Sequence, residues 1–283
     1  MITIGIIGNG FVGKATNQFN CNEINILTYD IDSSLCNPIG TTLKDLLICN
    51  SIFVSVPTPM NNYGSCYLKI VENVINNLNN LNYKGFIILR STVPVGTCDR
   101  LNCFFMPEFL TEVSYINDFI NNPDWIFGML DNNNEFIEFI TELINVAFKN
   151  KCIKYNNIHF TSNSEAEMIK MFRNCYLANK ISFCNEIYQY CSKVNVNYNT
   201  VKELAVKDKR IGSSHTNVPG HDGKKGYGGT CFPKDTTSMK YEMEKVGVKP
   251  YILSAMKKRN EKIDRPEKDW KNDEGRSVVK ISD

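Results

Sequence analysis

The most constraining feature of the sequence is a glycine-rich turn between an apolar run, ITIGII, and a helical pattern. Gly8, Gly10 and Gly13 have the spacing G-x-G-x-x-G. In a βαβ unit the first glycine permits the tight turn, the second permits close approach of a pyrophosphate, and the third permits helix–strand packing. Asp30 ends the next apolar run about 17 residues later, with Asp32 as a nearby alternative. An acid here can bind an adenosine ribose, so the pattern predicts a dinucleotide site that favours NAD.

Strand and helix patterns alternate after this turn. Apolar or β-branched runs predict strands at 2–7, 24–29, 52–56, 86–89, 125–129 and 158–160. Helical patterns occupy the segments 43–47, 68–81 and 134–148. Strands that alternate with helices predict the α/β class, here a Rossmann-type, doubly wound parallel sheet. We expect this domain to span residues 1–161.

A long helical pattern follows over residues 165–193, without proline or glycine. Its length is typical of a connecting helix or a dimer seam. Gly, Ser, His, Pro and Lys dominate residues 210–229, which predicts a loop. We therefore expect a mainly helical domain over 162–263, followed by a charged C-terminal arm over 264–283.

Composition excludes several classes of protein. The 283 residues carry 32 Lys plus Arg against 30 Asp plus Glu, so nucleic acid is not an expected partner. No apolar run approaches the ~20 residues that span a bilayer, and the N-terminus enters a strand pattern directly, so we expect no membrane contact and a cytoplasmic location. The eleven cysteines are scattered, without a CxxC pair or a histidine at metal-ligand spacing. We expect reduced thiols and no metal.

Cys231 differs from the other cysteines because it lies in a glycine-rich turn, GGTCFPKD. Pro233 suits the first turn of a helix. A helix N-terminus and Lys234 would both favour the thiolate of Cys231. Asp235 is four residues further on and can share a helical face with the thiol, where it could hold a proton or a water. This pattern indicates a reactive cysteine rather than a core residue.

Three other sets of polar residues are candidates for the site. Lys170 and Asn174 are four residues apart in the long helical pattern, so both can project from one face, although a solvated lysine is the alternative. Glu108 and Glu112 have the same spacing after a strand and could divide acid and base roles, or lie on a helix surface. Thr92 follows a strand at the edge where ligands bind in open α/β sheets, or it caps a turn.

Six segments, in order and over nearly the whole chain, resemble the UDP-glucose/GDP-mannose dehydrogenase family. They are Gly8–Gly13, VPTP at 56–59, STVPVG at 91–96, PEFLTE at 107–112, Lys170 with Asn174, and GYGGTCFPKD at 226–235. The resemblance implies that the C6 alcohol of a nucleotide-linked hexose is oxidised to a carboxylate, with two NAD and one water consumed. UDP-glucose, giving UDP-glucuronate, is the leading substrate, and GDP-mannose or a UDP-N-acetylhexosamine is the alternative.

The resemblance also implies residue roles. Cys231 would attack the intermediate aldehyde to give a thiohemiacetal, which is oxidised to a thioester and hydrolysed. Lys170 and Asn174 would stabilise oxyanions. Proton handling and the hydrolytic water would fall to Thr92, Glu108 and Asp235. The implied cofactor-binding residues are Gly8, Asn9, Gly10, Phe11, Val12, Gly13, Asp30, Pro57, Thr58, Thr92, Glu112 and Lys234. The implied substrate-binding residues are Glu108, Phe109, Leu110, Lys170, Asn174, Arg210, Tyr227 and Gly228. A homodimer through the long helix is expected.

The sequence departs from the family pattern in one respect. Family members carry a second Rossmann-like domain, and here only a helix and a charged tail follow residue 248. One hypothesis is that a basic loop replaces part of the diphosphate pocket through Arg210, His215, Lys224 and Lys225; the alternative is a solvated loop. Two other functions stay open, namely a non-catalytic subunit that binds NAD or a nucleotide sugar, and a hydroxyacid dehydrogenase, which would leave the reactive cysteine without a role.

Overall fold

The computed structural model of the chain describes residues 1–131 and 133–280, so the last three residues of the predicted charged arm lie outside the described residues. The chain forms two compact units. The first contains Met1–Thr58 and Leu68–Lys170, and the second contains Pro59–Tyr67 and the residues from Met171 onward.

The first unit is built around a seven-stranded sheet. Its strands are β1 (Ile2–Ile7), β2 (Ile24–Tyr29), β3 (Ser51–Val54), β4 (Phe86–Leu89), β5 (Phe104–Phe105), β6 (Asp124–Met129) and β7 (Asn157–Ser162), in the order β2-β1-β3-β4-β5-β6-β7. Its helices are α1 (Phe11–Thr16), α2 (Lys69–Asn80), α3 (Thr97–Leu101), α4 (Tyr115–Ile120) and α5 (Asn134–Lys149). This confirms the predicted α/β class.

Apolar cores cover both faces of this sheet. Alternate residues of a strand point to opposite faces, so Phe53 of β3 joins one core while its neighbours Ile52 and Val54 join the other. The buried side of α5, from Phe136 to Ala147, covers the first face. The buried side of α2 covers the second face. This arrangement gives the doubly wound sheet that the sequence predicts.

The direction of two strands differs from the prediction of an all-parallel sheet, because β6 and β7 are parallel to each other and run opposite to the other five. β6 pairs with β5 in the antiparallel sense, with Phe105 opposite Gly128. Alternation of helix and strand does not specify strand direction, and β5 has only two residues, so the sequence pattern carries no signal for it. Because β5 is parallel to β4 and β6 reverses, the connection over 106–123 stays at the carboxyl edge of the sheet. This is the edge where open α/β sheets bind ligands.

The second unit is mainly helical. Helix α6 (Asn163–Lys193) begins in the first unit and continues into the second, followed by α7 (Tyr198–Ala205), α8 (Phe232–Lys245) and α9 (Tyr251–Arg259), which runs into a π-helical turn, Asn260–Asp264. The segment Pro59–Tyr67 also belongs here: Met60 donates its N–H to Ser277 and accepts from Val279. Within the described residues, no helix is both long enough and apolar enough to cross a bilayer.

Candidate active site

The three glycines of the first turn are required for different reasons. At Gly8, where φ is +90°, an added Cβ would lie 2.6 Å from the Ser55 carbonyl oxygen. At Gly13 it would lie 2.1 Å from the carbonyl oxygen of Gly8. At Gly10 an added Cβ would meet no atom within 4 Å outside the adjoining backbone, among the described residues. The fold therefore requires glycine at positions 8 and 13, and open space remains at Gly10, where a pyrophosphate would approach.

Asp30 lies at this turn. Its carboxylate accepts from the backbone N–H of Asn9 (2.6 Å) and from that of Asp32 (2.9 Å). The carboxylate of Asp32 instead accepts from the N–H and hydroxyl of Ser34. Asp30, rather than Asp32, is therefore the acid held against the glycine turn. Together with the open space at Gly10, this arrangement fits an NAD site.

The loops that follow β3 and β4 are tied together at the carboxyl edge. The hydroxyl of Thr58 donates to the Thr92 carbonyl (2.8 Å), and the hydroxyl of Ser91 donates to the Val56 carbonyl (2.6 Å). Both threonines are buried, whereas Pro57 is exposed. The structure thus brings together the two predicted cofactor-lining threonines.

The start of α6 holds the second of these loops. Glu167, which the sequence analysis missed, is buried and accepts from the backbone N–H groups of Gly96 (2.6 Å) and Cys98 (2.8 Å). Glu167 and Lys170 are three residues apart on the helix, so one stretch of α6 fixes the loop and carries a candidate catalytic residue.

Glu108 and Lys170 form a buried ion pair in the first unit. The Lys170 ammonium donates to the Glu108 carboxylate and to the Glu108 carbonyl, both at 2.6 Å. The other carboxylate oxygen accepts from the N–H of Leu110 (2.9 Å). The ammonium also lies 5.9 Å from the centre of the Phe109 ring. Lys170 is therefore not the solvated lysine of the alternative interpretation.

The electrostatics of this pair keep the carboxylate ionised. Burial raises the pKa of Glu108, but the charge and hydrogen bond of Lys170, the Leu110 N–H and the charge of Arg90 together lower it below its ordinary value. Burial lowers the pKa of Arg90 to about 10, against the opposing effect of Glu108. Arg90 was not among the predicted site residues, although a charged residue at the end of the apolar run FIIL is a usable signal.

The two glutamates of PEFLTE are not brought together as a buried pair. Residues 106–110 are not helical, so the four-residue spacing does not place Glu108 and Glu112 on one helix face. Glu108 is buried and Glu112 is exposed. Neither the paired-carboxylate interpretation nor the helix-surface interpretation describes them.

The second unit holds Cys231 at the N-terminus of α8. The helix begins at Phe232, with Pro233 in its first turn as predicted. Asp235 is buried and accepts from the Lys234 ammonium and from the Asn174 amide, both at 2.6 Å. Both oxygens of this carboxylate are thus engaged. The structure brings Asn174 of α6 together with the aspartate of the cysteine motif.

The Lys234 ammonium interacts with both the Asp235 carboxylate and the Cys231 thiol. Burial lowers the pKa of the Lys234 ammonium, but its interactions with Asp235, Cys66 and Cys231 raise it above the ordinary value. This cation remains protonated at neutral pH and favours a thiolate at Cys231. Cys175 has the opposite environment, since burial, together with the charge of Asp235, raises its pKa to about 12.

The remaining predicted substrate residues lie in unlike environments. Arg210 is exposed and pairs with Asp208 at 2.6 Å. Tyr227 is buried among apolar residues of the second unit. Gly228 lies beneath a guanidinium, because a Cβ there would be 2.3 Å from Cζ of Arg265. Leu110 is half-buried against the core of the first unit.

The basic loop is largely engaged by its own unit. The Lys224 ammonium donates to Asp269 at 2.7 Å and lies 3.7 Å from Glu267, and Lys225 lies 5.0 Å from the centre of the Tyr188 ring. His215 packs its ring against Phe232, the residue after Cys231, with centroids 5.7 Å apart. These contacts favour the ordinary structural role for Lys224 over the hypothesis of a diphosphate pocket.

Comparison with known proteins identifies the family of the chain. Residues 39–148 match the model of the UDP-glucose/GDP-mannose dehydrogenase family, NAD binding domain, and residues 164–262 match the model of its central domain. The chain belongs to the UDP-glucose/GDP-mannose dehydrogenase family, which consists of NAD-dependent nucleotide-sugar dehydrogenases. The prediction of NAD as cofactor is confirmed at this level.

Individual relatives are similar over most of the chain. It is 28% identical over 229 residues to the UDP-glucose 6-dehydrogenase of Rickettsia typhi, covering 77% of this chain and 50% of the relative. It is 30% identical over 277 residues to that of Campylobacter jejuni, covering 83% and 66%. The structure of a UDP-glucose dehydrogenase from the archaeon Pyrobaculum islandicum matches the fold with a TM-score of 0.79 at 24% identity, over 92% of this chain and 68% of that one. The chain thus spans about half to two thirds of the length of these relatives.

Proposed function

We propose that the protein is a UDP-glucose 6-dehydrogenase, which oxidises the C6 alcohol of UDP-glucose to the carboxylate of UDP-glucuronate in a four-electron reaction. The observation that carries the proposal is Cys231 at the start of α8, beside the Lys234 cation and the Asn174–Asp235 pair. Oxidation of an alcohol to an aldehyde, a two-electron reaction, does not need such a thiol. Oxidation of the aldehyde to an acid uses it, because addition of the thiol gives a thiohemiacetal from which a second hydride can be removed.

The cofactor role rests on the first unit. Asp30 would bind the adenosine ribose, the backbone at Gly8–Gly13 would bind the pyrophosphate, and Thr58 and Thr92 would line the remaining pocket. When bound, NAD accepts one hydride from C6 in each of the two oxidations.

The other steps are carried by side chains. The Cys231 thiolate adds to the aldehyde carbon and forms a C–S bond, while the carbonyl oxygen becomes an oxyanion. Lys170 and Asn174, which carry N–H donors, stabilise that oxyanion. After the second oxidation, water adds to the thioester carbon, the C–S bond breaks, and the thiol is regenerated with the free acid.

Glu108 suits the hydrolytic step. Its lowered pKa keeps it ionised at neutral pH, and only an ionised carboxylate can hold and deprotonate a water. Asp235 accepts hydrogen bonds at both oxygens, which favours a role in orienting Asn174 and Lys234.

The test is the number of NADH released per sugar by the purified chain, with a Cys231→Ser variant alongside. Two NADH per UDP-glucose, lost in the variant, is the expected result. Turnover of GDP-mannose or a UDP-N-acetylhexosamine, and not of UDP-glucose, would keep the chemistry and change the substrate. Binding of NAD without turnover of any of these sugars would replace the enzyme by a binding subunit.

We also propose a homodimer, with a second copy of this chain on one face of α6. Phe172, Tyr176, Phe183 and Tyr190 are each more than half exposed. Their spacings of four and seven residues place them along one stripe of the helix, and such an apolar stripe marks an interaction surface. A cytoplasmic location stays a prediction.

A further inference from the structure

The turn that directly precedes Cys231 is held by side chains from two distant parts of the second unit. This turn, residues 226–230, has no regular secondary structure of its own. Asn260, in the π-helical turn after α9, accepts from the Tyr227 N–H and donates to the Tyr227 carbonyl, both at 2.9 Å. One amide side chain thus engages both polar backbone groups of a buried residue.

A second asparagine engages the neighbouring residue. Asn185 of α6 accepts from the Gly226 N–H at 3.2 Å, and its own amide donates to the Ile181 carbonyl at 2.9 Å. The bond to Ile181 fixes the orientation of the Asn185 amide. Both Asn185 and Asn260 are buried, so water does not compete for these bonds.

The glycines of the turn leave room for the side chains that hold it. A Cβ at Gly226 would lie 2.3 Å from Oδ1 of Asn260, and one at Gly228 would lie 2.3 Å from Cζ of Arg265. Arg265 is itself fixed by ion pairs to Asp222 (2.6 Å) and Asp269 (2.8 Å). The segment 260–269 therefore approaches the turn closely enough to require glycine at both positions.

We propose that Asn260 is a positioning residue that fixes the backbone of Tyr227 and thereby places the Cys231 thiol at the N-terminus of α8. The proposal rests on the proposed function, in which Cys231 is the nucleophile. Three residues lie between Tyr227 and the cysteine, and two of them are glycines, so the intervening chain has little stiffness of its own. Without the two hydrogen bonds between Asn260 and the Tyr227 backbone, the turn loses contacts that select one conformation.

The first test separates positioning from general stability. In Asn260→Ala both hydrogen bonds to the Tyr227 backbone are lost. The kcat is expected to fall about 30- to 100-fold, since displacement of a reacting group such as the Cys231 thiol by about 1 Å costs on that order. The KM for NAD is expected to stay within about twofold, because Asp30 and the first glycine turn belong to the first unit. Asn260→Ser, which can retain one bond, is expected to fall between the alanine variant and the wild type.

Tyr198→Phe is the matched control. It removes a buried hydrogen bond of 2.7 Å to the Thr216 carbonyl in the same unit, a bond that does not involve the backbone of residues 226–230. This variant is expected to lose Tm as Asn260→Ala does while kcat stays within about twofold of wild type. A kcat for Asn260→Ala within about threefold of wild type, or an equal loss in Tyr198→Phe, overturns the proposal.

The second test does not need turnover. The rate at which iodoacetamide labels Cys231 in the folded full chain, followed by peptide mass spectrometry, is expected to fall about tenfold in Asn260→Ala, because the thiol loses its place at the helix N-terminus near Lys234. Labelling as fast as wild type or faster overturns the positioning role. If the wild type turns over no nucleotide sugar, the proposed function fails while this comparison still decides the role of Asn260.

Discussion

Replacement of Lys170 by methionine tests the buried ion pair of the first unit. The ammonium lies 2.6 Å from both the carboxylate and the carbonyl oxygen of Glu108, and all three groups are buried. Removal of one partner from a buried pair costs ~3–5 kcal/mol. Glu108 keeps the Leu110 N–H and the charge of Arg90, so the lower end applies, about 3 kcal/mol. At ~2–4 °C per kcal/mol, Tm falls by roughly 6–12 °C.

The assay is urea unfolding followed by tryptophan fluorescence. Each unit contains one buried tryptophan, Trp125 in the first and Trp270 in the second, so a Trp270→Phe background reports the first unit alone. In the double variant Lys170→Met/Glu108→Gln neither member of the ion pair leaves the other charged, so its loss should be smaller than the sum of the single losses by about 2 kcal/mol. Additivity within about 0.5 kcal/mol, or a loss below about 1 kcal/mol in Lys170→Met, would refute the reasoning.

The same pair predicts a pH dependence. The folded pKa of Glu108 lies below its ordinary value of 4.5. The stabilisation is therefore complete above the unfolded pKa and is lost as the pH falls through the folded pKa. The stability advantage of wild type over Glu108→Gln should shrink as the pH falls from about 5 to about 3. Urea midpoints measured across this range check it, and an advantage that stays constant or widens contradicts it.

Three further outcomes follow from the structure. Gly10→Ala should leave Tm nearly unchanged and weaken NADH binding in a fluorescence titration. Gly13→Ala should destabilise the first unit by ~1–3 kcal/mol or more, because the added Cβ would collide with the Gly8 carbonyl. Equal Tm losses in the two variants would contradict this. Cys175, whose pKa is raised to about 12, should resist iodoacetamide at pH 8 while Cys231 labels; faster labelling at Cys175 would contradict the assigned environments. Phe183→Glu on the exposed stripe of α6 should give a monomer by light scattering if a second copy binds there, and an unchanged dimer would place the interface elsewhere.

Apolar runs in the sequence predicted the strand boundaries that depend on local burial. β1, β2 and β4 begin and end where their apolar runs do, because each strand has a buried face and a one-residue shift would move its side chains to the wrong face. The two-residue β5 and the reversed direction of β6 and β7 escaped prediction, since pairing direction depends on contacts far apart in sequence. The short helix α7 also escaped, for its eight residues carry few buried side chains.

The candidate site shows the same division. The sequence singled out Lys170, Glu108, Asn174 and Asp235 as candidates, but not which of them pair. Lys170 and Glu108 are separated by 62 residues, and Asn174 and Asp235 by 61, and no spacing rule links residues so distant. Asn260 carries no local signal, because its role depends on a backbone 33 residues away.

The central claim is that Cys231 carries the substrate as a thioester. Mixing Glu108→Gln, in which hydrolysis is slowed, with UDP-glucose and excess NAD, and then quenching in acid, tests it by peptide mass spectrometry. The account predicts two NADH per enzyme in a rapid first phase and an acyl group on the peptide that contains Cys231. Formation of UDP-glucuronate with that peptide unmodified throughout, together with full turnover by Cys231→Ser, would contradict it.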